Sequence, residues 1–340
     1  MVGPRVVLRS PPVEHSPVAP SARRPPGTVP TMGDREIGLV QAFDGSAKFG
    51  AAYARDFAQA AEAAGFHSVW VPEHIVFFQR YESVYPYPPE PGSASSPQLP
   101  VGRRPALFDP LLTCQALALH TTTLRVGTAV ALVPLRHPLL WAREVATLDH
   151  FSAGRFELGV GVGWLAEEYD ALGVSFADRG RIADEHLGAL RTVWATDDSS
   201  YHGRHVDFTD AVSLPNPLQA PGPPILVGGE SEAALRRVAR YGDGWFGWNM
   251  TPSQLAQGLD RLDVHLGREA FTDGRRRTRA DLTIQVGLRC LGGLDELAGL
   301  VDAYTAAGAT RVAASVPIRP AELDARLAAI AGALGVGPRG

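Results

Sequence analysis

The chain has 340 residues, of which 45% are hydrophobic and 20% charged, with a formal net charge of −4. That composition is globular and lacks the basic stripe of a nucleic-acid binder, and no apolar run approaches the roughly 20 residues that span a bilayer. The two cysteines, Cys114 and Cys290, are far apart in the sequence, each in a segment that reads as regular structure, and read as reduced thiols of a cytoplasmic protein rather than as a metal site or a disulfide.

Residues 1–33 are rich in Pro, Ser and Arg, and Arg23-Arg24 leads into prolines instead of an apolar core. The stretch reads as a disordered tail, not a signal peptide. The first strand pattern follows directly on Met32, which makes Met32 a candidate start of translation. Residues 34–340 read as one domain.

From residue 35 onward, short β-branched and aliphatic runs alternate with longer amphipathic stretches. Eight strands are predicted, at 36–42, 66–71, 124–130, 155–160, 224–227, 244–247, 282–287 and 310–315. Most are continuously apolar, as parallel strands covered on both faces are. In the first helix Phe49, Tyr53, Phe57 and Ala60 share a face and Gly65 is placed to end it. In the third, Pro138 sits at the first helical position after His137, with Trp141, Val145 and Leu148 on one side. The last helix, from about Pro320, carries Leu323, Leu327 and Ile330. Eight β-then-α units predict an α/β fold, a closed (β/α)8 TIM barrel; because three strand signals are short, a six-stranded open sheet is the structural alternative.

Two connections are long for a compact domain. Residues 75–106 follow the second strand and hold Phe77, Phe78, Tyr81, Tyr85 and Tyr87. They read as a lid whose aromatics either line a substrate pocket or only pack the loop onto the barrel. Residues 199–216 read as a small hairpin.

In a barrel of this kind the residues just past the C-terminal strand ends are the functional candidates. After the second strand come Glu73 and His74, a carboxylate beside an imidazole, suited to proton transfer or to polarising a bound ring, or else to capping a helix. The third strand ends in small residues, Gly127-Thr128-Ala129-Val130, which let a flat group approach the backbone or simply pack tightly. The fourth runs into Gly159-Val160-Gly161-Val162-Gly163-Trp164. Trp164 stands where a dinucleotide fingerprint needs its last glycine, so a Rossmann reading fails and a glycine-rich turn remains. The fifth runs into Gly228-Gly229-Glu230-Ser231, with Ser231 a good N-cap and two glycines before a helix start, a ready anion site unless Glu230 points toward it. His120, His150 and His186 read as structural, Glu167-Glu168 as carboxylates suited to a helix N-terminus, and Arg275-Arg276-Arg277 as a solvated turn.

The blocks AEAAGFHSVWVPEHI (61–75), LRVGTAVALVPLRHPLLWAREVATLDHFSAGRFELGVGVGWLAEEYDALGV (124–174) and PILVGGESEAALRRVARYGDGWF (224–246) resemble the luciferase-like monooxygenase family, and within it the branch that uses the deazaflavin coenzyme F420. The middle block is the specific one, and the resemblance runs from about 36 to 330. It implies a (β/α)8 barrel, a non-prolyl cis peptide at Ala129-Val130 backing the flavin ring, His74 near that ring, and a cofactor phosphate held around Val162, Gly163, Gly228 and Gly229. It also implies a homodimer. Where sugar-phosphate dehydrogenases of the family carry a proton-transferring glutamate, this chain has Trp164, so a sugar phosphate is a poor guess.

The resulting expectation is a coenzyme F420-dependent oxidoreductase acting on a small organic substrate. His74 would move a proton or polarise the ring, Glu73 would orient His74, and Trp164 would form an apolar wall. The cofactor contacts expected are His74, Thr128, Ala129, Val130, Val162, Gly163, Trp164, Gly228, Gly229 and Glu230, with no metal. The competing readings are an FMN-dependent monooxygenase on the same barrel and a non-catalytic flavin-binding protein.

Overall fold

The short apolar runs fold as parallel strands covered on both faces. The computed structural model describes residues 36–43, 50–93 and 106–337; the expected tail, Phe49 and part of the expected lid lie outside the described residues. In chain order the strands are β1 (Glu36–Val40), β2 (Ser68–Val71), β3 (Arg125–Thr128), β4 (Ala131–Leu132), β5 (Phe156–Gly161), β6 (Asp198–His202), β7 (Asp207–Val212), β8 (Ile225–Gly228), β9 (Gly244–Trp248), β10 (Thr283–Arg289) and β11 (Arg311–Ser315). The helices are α1 (Ala51–Ala63), α2 (Pro110–Ala118), α3 (Pro138–Phe151), α4 (Ala166–Ala171), α5 (Arg179–Ala195), α6 (Glu232–Tyr241), α7 (Pro252–Arg268), α8 (Leu294–Ala306) and α9 (Leu323–Ala333).

The strand order β3-β2-β1-β11-β10-β9-β8-β5-β4 is joined into a ring by β3–β5 pairing, with Val126 opposite Phe156 and Gly127 opposite Glu157. The barrel is closed, and the open-sheet alternative is excluded. The expected third strand, 124–130, ends early as β3, a cis peptide follows at Ala129-Val130, and β4 resumes the pairing just beyond it. The expected hairpin is β6–β7, an antiparallel pair outside the barrel.

Local signals act where the sequence places them. His137 caps α3, its side chain accepting from Leu139 N, and Pro138 opens the helix. Gly65 takes φ 88° just beyond α1, a conformation that a side chain would disfavour. Thr251 and Gln254 form a reciprocal capping box on α7.

Two cores result. The larger lies between strands and helices and takes Phe57, Trp141, Leu187, Leu259 and Leu327 among others. The smaller fills the barrel interior with Val40, Trp70, Leu226, Phe246 and Ala313. Inward glycines make room for it: a methyl at Gly127 would lie 2.5 Å from the Trp70 ring, and one at Gly287 2.5 Å from the Trp248 ring. Trp70 meets Phe246 edge-on at 5.3 Å and donates its indole N–H to Ser68 Oγ at 2.9 Å. Burying rings of this size is worth roughly 2–3 kcal/mol each.

Two expectations need correction. Cys290 lies just past β10, not within regular structure, although both thiols are buried and free. Arg277 is no solvated turn residue: its guanidinium lies 3.3 Å over the Phe271 ring and pairs with Asp243 at 3.2 Å, because the turn folds back on β9. Among the described residues no helix is long and apolar enough to cross a membrane.

Candidate active site at the barrel mouth

The floor of the mouth is the β3–β4 bulge. Ala129, Val130 and Trp248 cover the interior core from above. Val130 is seated by two glycines on neighbouring strands: a methyl at Gly161 would lie 2.5 Å from its Cγ2, and one at Gly228 3.1 Å from its Cγ1. β5 and β8 run side by side with Val160 opposite Val227, so the two glycine-rich turns leave the barrel as neighbours.

One wall begins with His74. Its Nδ1 lies 3.1 Å from Glu168 Oε2, and Glu168 is almost wholly buried at the start of α4. The other oxygen of Glu168 accepts the N–H groups of Ile75 and Val76. A carboxylate acceptor calls for the histidine proton on Nδ1 and leaves Nε2 as the ring nitrogen for a ligand. Trp164 meets the imidazole edge-on at 5.6 Å and is itself met by Tyr81 at 5.8 Å and Tyr85 at 5.3 Å. Tyr85 is hydrogen-bonded to Trp248. A chain of contacts therefore runs from His74 through Trp164 and Tyr85 to Trp248 and back to the floor.

The connection after β2 crosses this mouth. Glu167 accepts from Glu82 N, Ser83 N and Ser83 Oγ. Further on, Asn249 Nδ2 donates to Pro88 O at 2.8 Å, and Glu90 Oε1 accepts from Leu291 N at 2.7 Å. Starting at the end of β2, residues 75–93 are thus tied to α4, to the turn after β9 and to the turn after β10.

The two glycine turns differ in what they offer. Beyond β8, Ser231 Oγ caps α6 by accepting from Ala234 N at 3.2 Å, and the carbonyl of Gly229 is taken by the Trp245 indole at 2.8 Å. The N–H groups of Gly229, Glu230, Glu232 and Ala233 have no acceptor among the described residues, as the start of a ten-residue helix leaves them. Beyond β5, α4 is only six residues long and its first N–H, that of Ala166, goes to Ser83 Oγ at 2.9 Å. The Val162 carbonyl is taken by the Tyr169 hydroxyl. Gly163 remains, at φ 64°, with free N–H groups on itself and Trp164 among the described residues.

The mouth thus brings together His74, Trp164, Ala129, Val130, Gly163, Gly228 and Gly229, but not Glu73 or Thr128. Glu73 does not orient His74. Successive residues leaving a strand point to opposite sides, and Glu73 is buried beneath the bulge, where Oε2 accepts Leu132 N at 2.6 Å and Oε1 lies 3.0 Å from Arg136 without hydrogen-bond alignment. Burial pushes its carboxyl pKa up against the pull of Arg136. Thr128 is fully buried and its hydroxyl donates to Gly159 O at 2.6 Å, so its side chain offers nothing to a ligand. Glu230 lines a cavity of about 500 Å³ under residues 86–93. The sequence reading missed Glu168 as the partner of His74. It also missed Trp248, which the period-two continuation of Gly244 and Phe246 would have placed on the inner face. His186 is structural as expected, its Nδ1 at 2.9 Å from Val133 O.

Against known proteins, the chain is 37% identical over 190 residues to an uncharacterized protein of Mycobacterium tuberculosis, a match covering 55% of this chain and 64% of that one. It is 37% identical over 162 residues to the FMNH(2)-dependent dimethylsulfone monooxygenase of Pseudomonas putida, covering 47% of this chain and 43% of the other. In fold it resembles an F420-dependent secondary alcohol dehydrogenase solved with an F420-acetone adduct, with a TM-score of 0.68, 15% identity, and coverage of 88% of this chain and 99% of that one. The description of luciferase-like monooxygenases matches residues 37–308, from β1 to the end of the turn after α8, and with a closed barrel and a cis bulge in its third strand the chain belongs to that family.

Proposed function

We propose that this protein is an oxidoreductase that binds coenzyme F420 at the barrel mouth and moves hydride between the deazaflavin and a small organic substrate. The observation that carries the reading is the His74–Glu168 pair standing beside Trp164 at the edge of the Ala129-Val130 floor. The residues fit such a group. The floor is small-chained, and the free N–H groups of Gly229, Glu230, Glu232 and Ala233, with those of Gly163 and Trp164, suit an anionic tail. When bound, the deazaflavin would supply a ring carbon that carries hydride where a flavin has a nitrogen.

The chain's own residues do the rest. Glu168 fixes the tautomer and orientation of His74, whose Nε2 takes or gives the proton at the substrate oxygen. Trp164 and Tyr85 keep water from the reacting face. Gly161 and Gly228 let Val130 settle low enough for a planar ring to lie over it. Residues 75–93 act as a lid over the mouth.

The relation to the FMNH(2)-dependent monooxygenase favours a second reading, an FMN-dependent monooxygenase using the same seat. Titrating the protein with each cofactor and following absorbance and fluorescence separates the two. Saturable F420 binding with weaker FMN binding is expected; tight FMN binding with none for F420 overturns the first reading.

A further inference from the structure

We propose that the cavity under residues 86–93 is a recognition site for an organic ammonium group, assigned to Glu230 and the aromatic residues around it. The inference goes beyond the cofactor reading and does not rest on it.

The cavity measures about 500 Å³ and is lined by Tyr87, Glu230, Trp248, Asn249, Met250 and Gln254 among others. Its polar groups are mostly committed. Asn249 gives its Nδ2 to Pro88 O and Pro89 O and its Oδ1 to Arg289 N. Gln254 Oε1 accepts from Thr251 N. Gln254 Nε2, the Tyr87 hydroxyl and the Glu230 carboxylate have no hydrogen bond among the described residues, and of these only Glu230 carries a charge. Arg261, the cation near it, donates to its backbone oxygen and pairs with Glu232, so its charge offsets the burial of the Glu230 carboxylate only in part.

A carboxylate without an ion pair in a half-enclosed pocket is costly to keep ionised and gains from a cation brought to it. Burial raises the pKa of Glu230 against the pull of Arg261. The same carboxylate acts electrostatically on the Tyr87 hydroxyl, which shares the lining of the cavity with it. A carboxylate flanked by Tyr87 and Trp248, with the Met250 thioether in the lining, matches the chemistry of an ammonium ion carrying an apolar substituent. It repels carboxylates and phosphates, and it leaves a neutral ligand without the charge term.

The probe is benzyltrimethylammonium, whose charge does not titrate, measured by calorimetry on the full chain beside benzyl alcohol and benzoate. The cation is expected to bind at least about tenfold tighter than the alcohol, a preference within the range of a desolvated cation–π contact plus a charge pair. Benzoate is expected not to bind. Glu230→Gln keeps the shape and should erase the preference, and Tyr87→Leu should weaken the cation several-fold. On the unmodified protein, affinity for the cation should fall as the pH drops through the raised pKa of Glu230. A cation bound no better than the alcohol, a preference surviving Glu230→Gln, or stronger binding of benzoate overturns the proposal. Each readout is independent of turnover, so a failure here leaves the hydride-transfer reading standing, and the reverse holds.

Discussion

The two ends of the barrel carry charge in opposite ways. At the N-terminal ends of the strands Glu157 is held by Arg125 and by Arg311, the latter at 2.7 Å, and Arg311 also takes Glu36. Two carboxylates thus face two guanidiniums, with His67 buried neutral among them. Burial alone would raise the Glu157 carboxyl, but Arg311 and Arg125 outweigh it and bring its pKa to about 2. At the C-terminal ends the Glu230 carboxylate has no ion pair among the described residues, with Arg261 only partly offsetting its burial. Neither has Arg289, which alternation from Gly287 turns toward the mouth beside Tyr85. One end is balanced and buys stability; the other leaves groups unspent, where a ligand can use them.

The largest effect should come from the unspent end. His74→Ala is expected to cut turnover by about 10²–10⁴, the usual worth of a positioned general acid–base group, while the unfolding midpoint stays close to that of the parent. Glu168→Gln should act through His74 and shift the pH profile of turnover as well as lowering it. Steady-state kinetics across pH beside denaturant melts checks both. Unchanged turnover in His74→Ala removes the histidine from the chemistry.

The balanced end should answer in stability instead. Arg311→Met strands Glu157 with one cation and should cost roughly 3–5 kcal/mol in a denaturant melt. The acid limb sharpens the point. His67 is pushed from 6.5 down to about 3, first by burial and then by Arg311, so an unfolded chain takes up its proton first and stability falls as pH drops from about 6.5 toward 3. Glu157, lowered from 4.5 to about 2, adds a loss as pH falls from about 4.5 toward 2. In Arg311→Met the Glu157 part of that limb should shrink, because its carboxyl rises back toward the ordinary range. A limb that keeps its full slope would show that the ion network does not set acid stability.

Between these lies Gly161→Ala. Its new methyl would press on Val130 Cγ2, and overpacking of this kind costs about 1–3 kcal/mol. It should also loosen the cofactor, since the floor moves. Adding Val130→Ala should restore most of both; failure to restore cofactor affinity would separate the floor from the binding seat.

Much of this was readable from the chain. Eight apolar runs with helical stretches between them carry the barrel, and the glycine-rich middle block carries the family and with it the cis peptide at Ala129-Val130. His74 was placed by its position at a strand end. What stayed hidden has two physical causes. Glu73 and His74 are neighbours in sequence but leave the strand on opposite sides, so adjacency suggested a partnership that alternation forbids. Glu168 stands 94 residues from His74, and a carboxylate in the first turn of a helix already has an adequate explanation in the helix dipole. Nothing local distinguishes a carboxylate serving its own helix from one reaching across a barrel mouth.

The smallest effect should come from the cap of α6, where the unspent end meets backbone rather than side chains. Ser231→Ala removes the acceptor for Ala234 N and should cost about 1 kcal/mol. It also adds one more free N–H to those of Gly229, Glu230, Glu232 and Ala233. If an anionic tail seats on this turn, phosphate can satisfy the group the serine abandoned, and the deficit should narrow when phosphate replaces chloride at equal ionic strength. Thr251→Ala supplies the control, because its capping box opens α7, whose start no proposed tail contact involves. A deficit that narrows equally in both variants, or in neither, would mean that the turn after β8 is not where the anion rests.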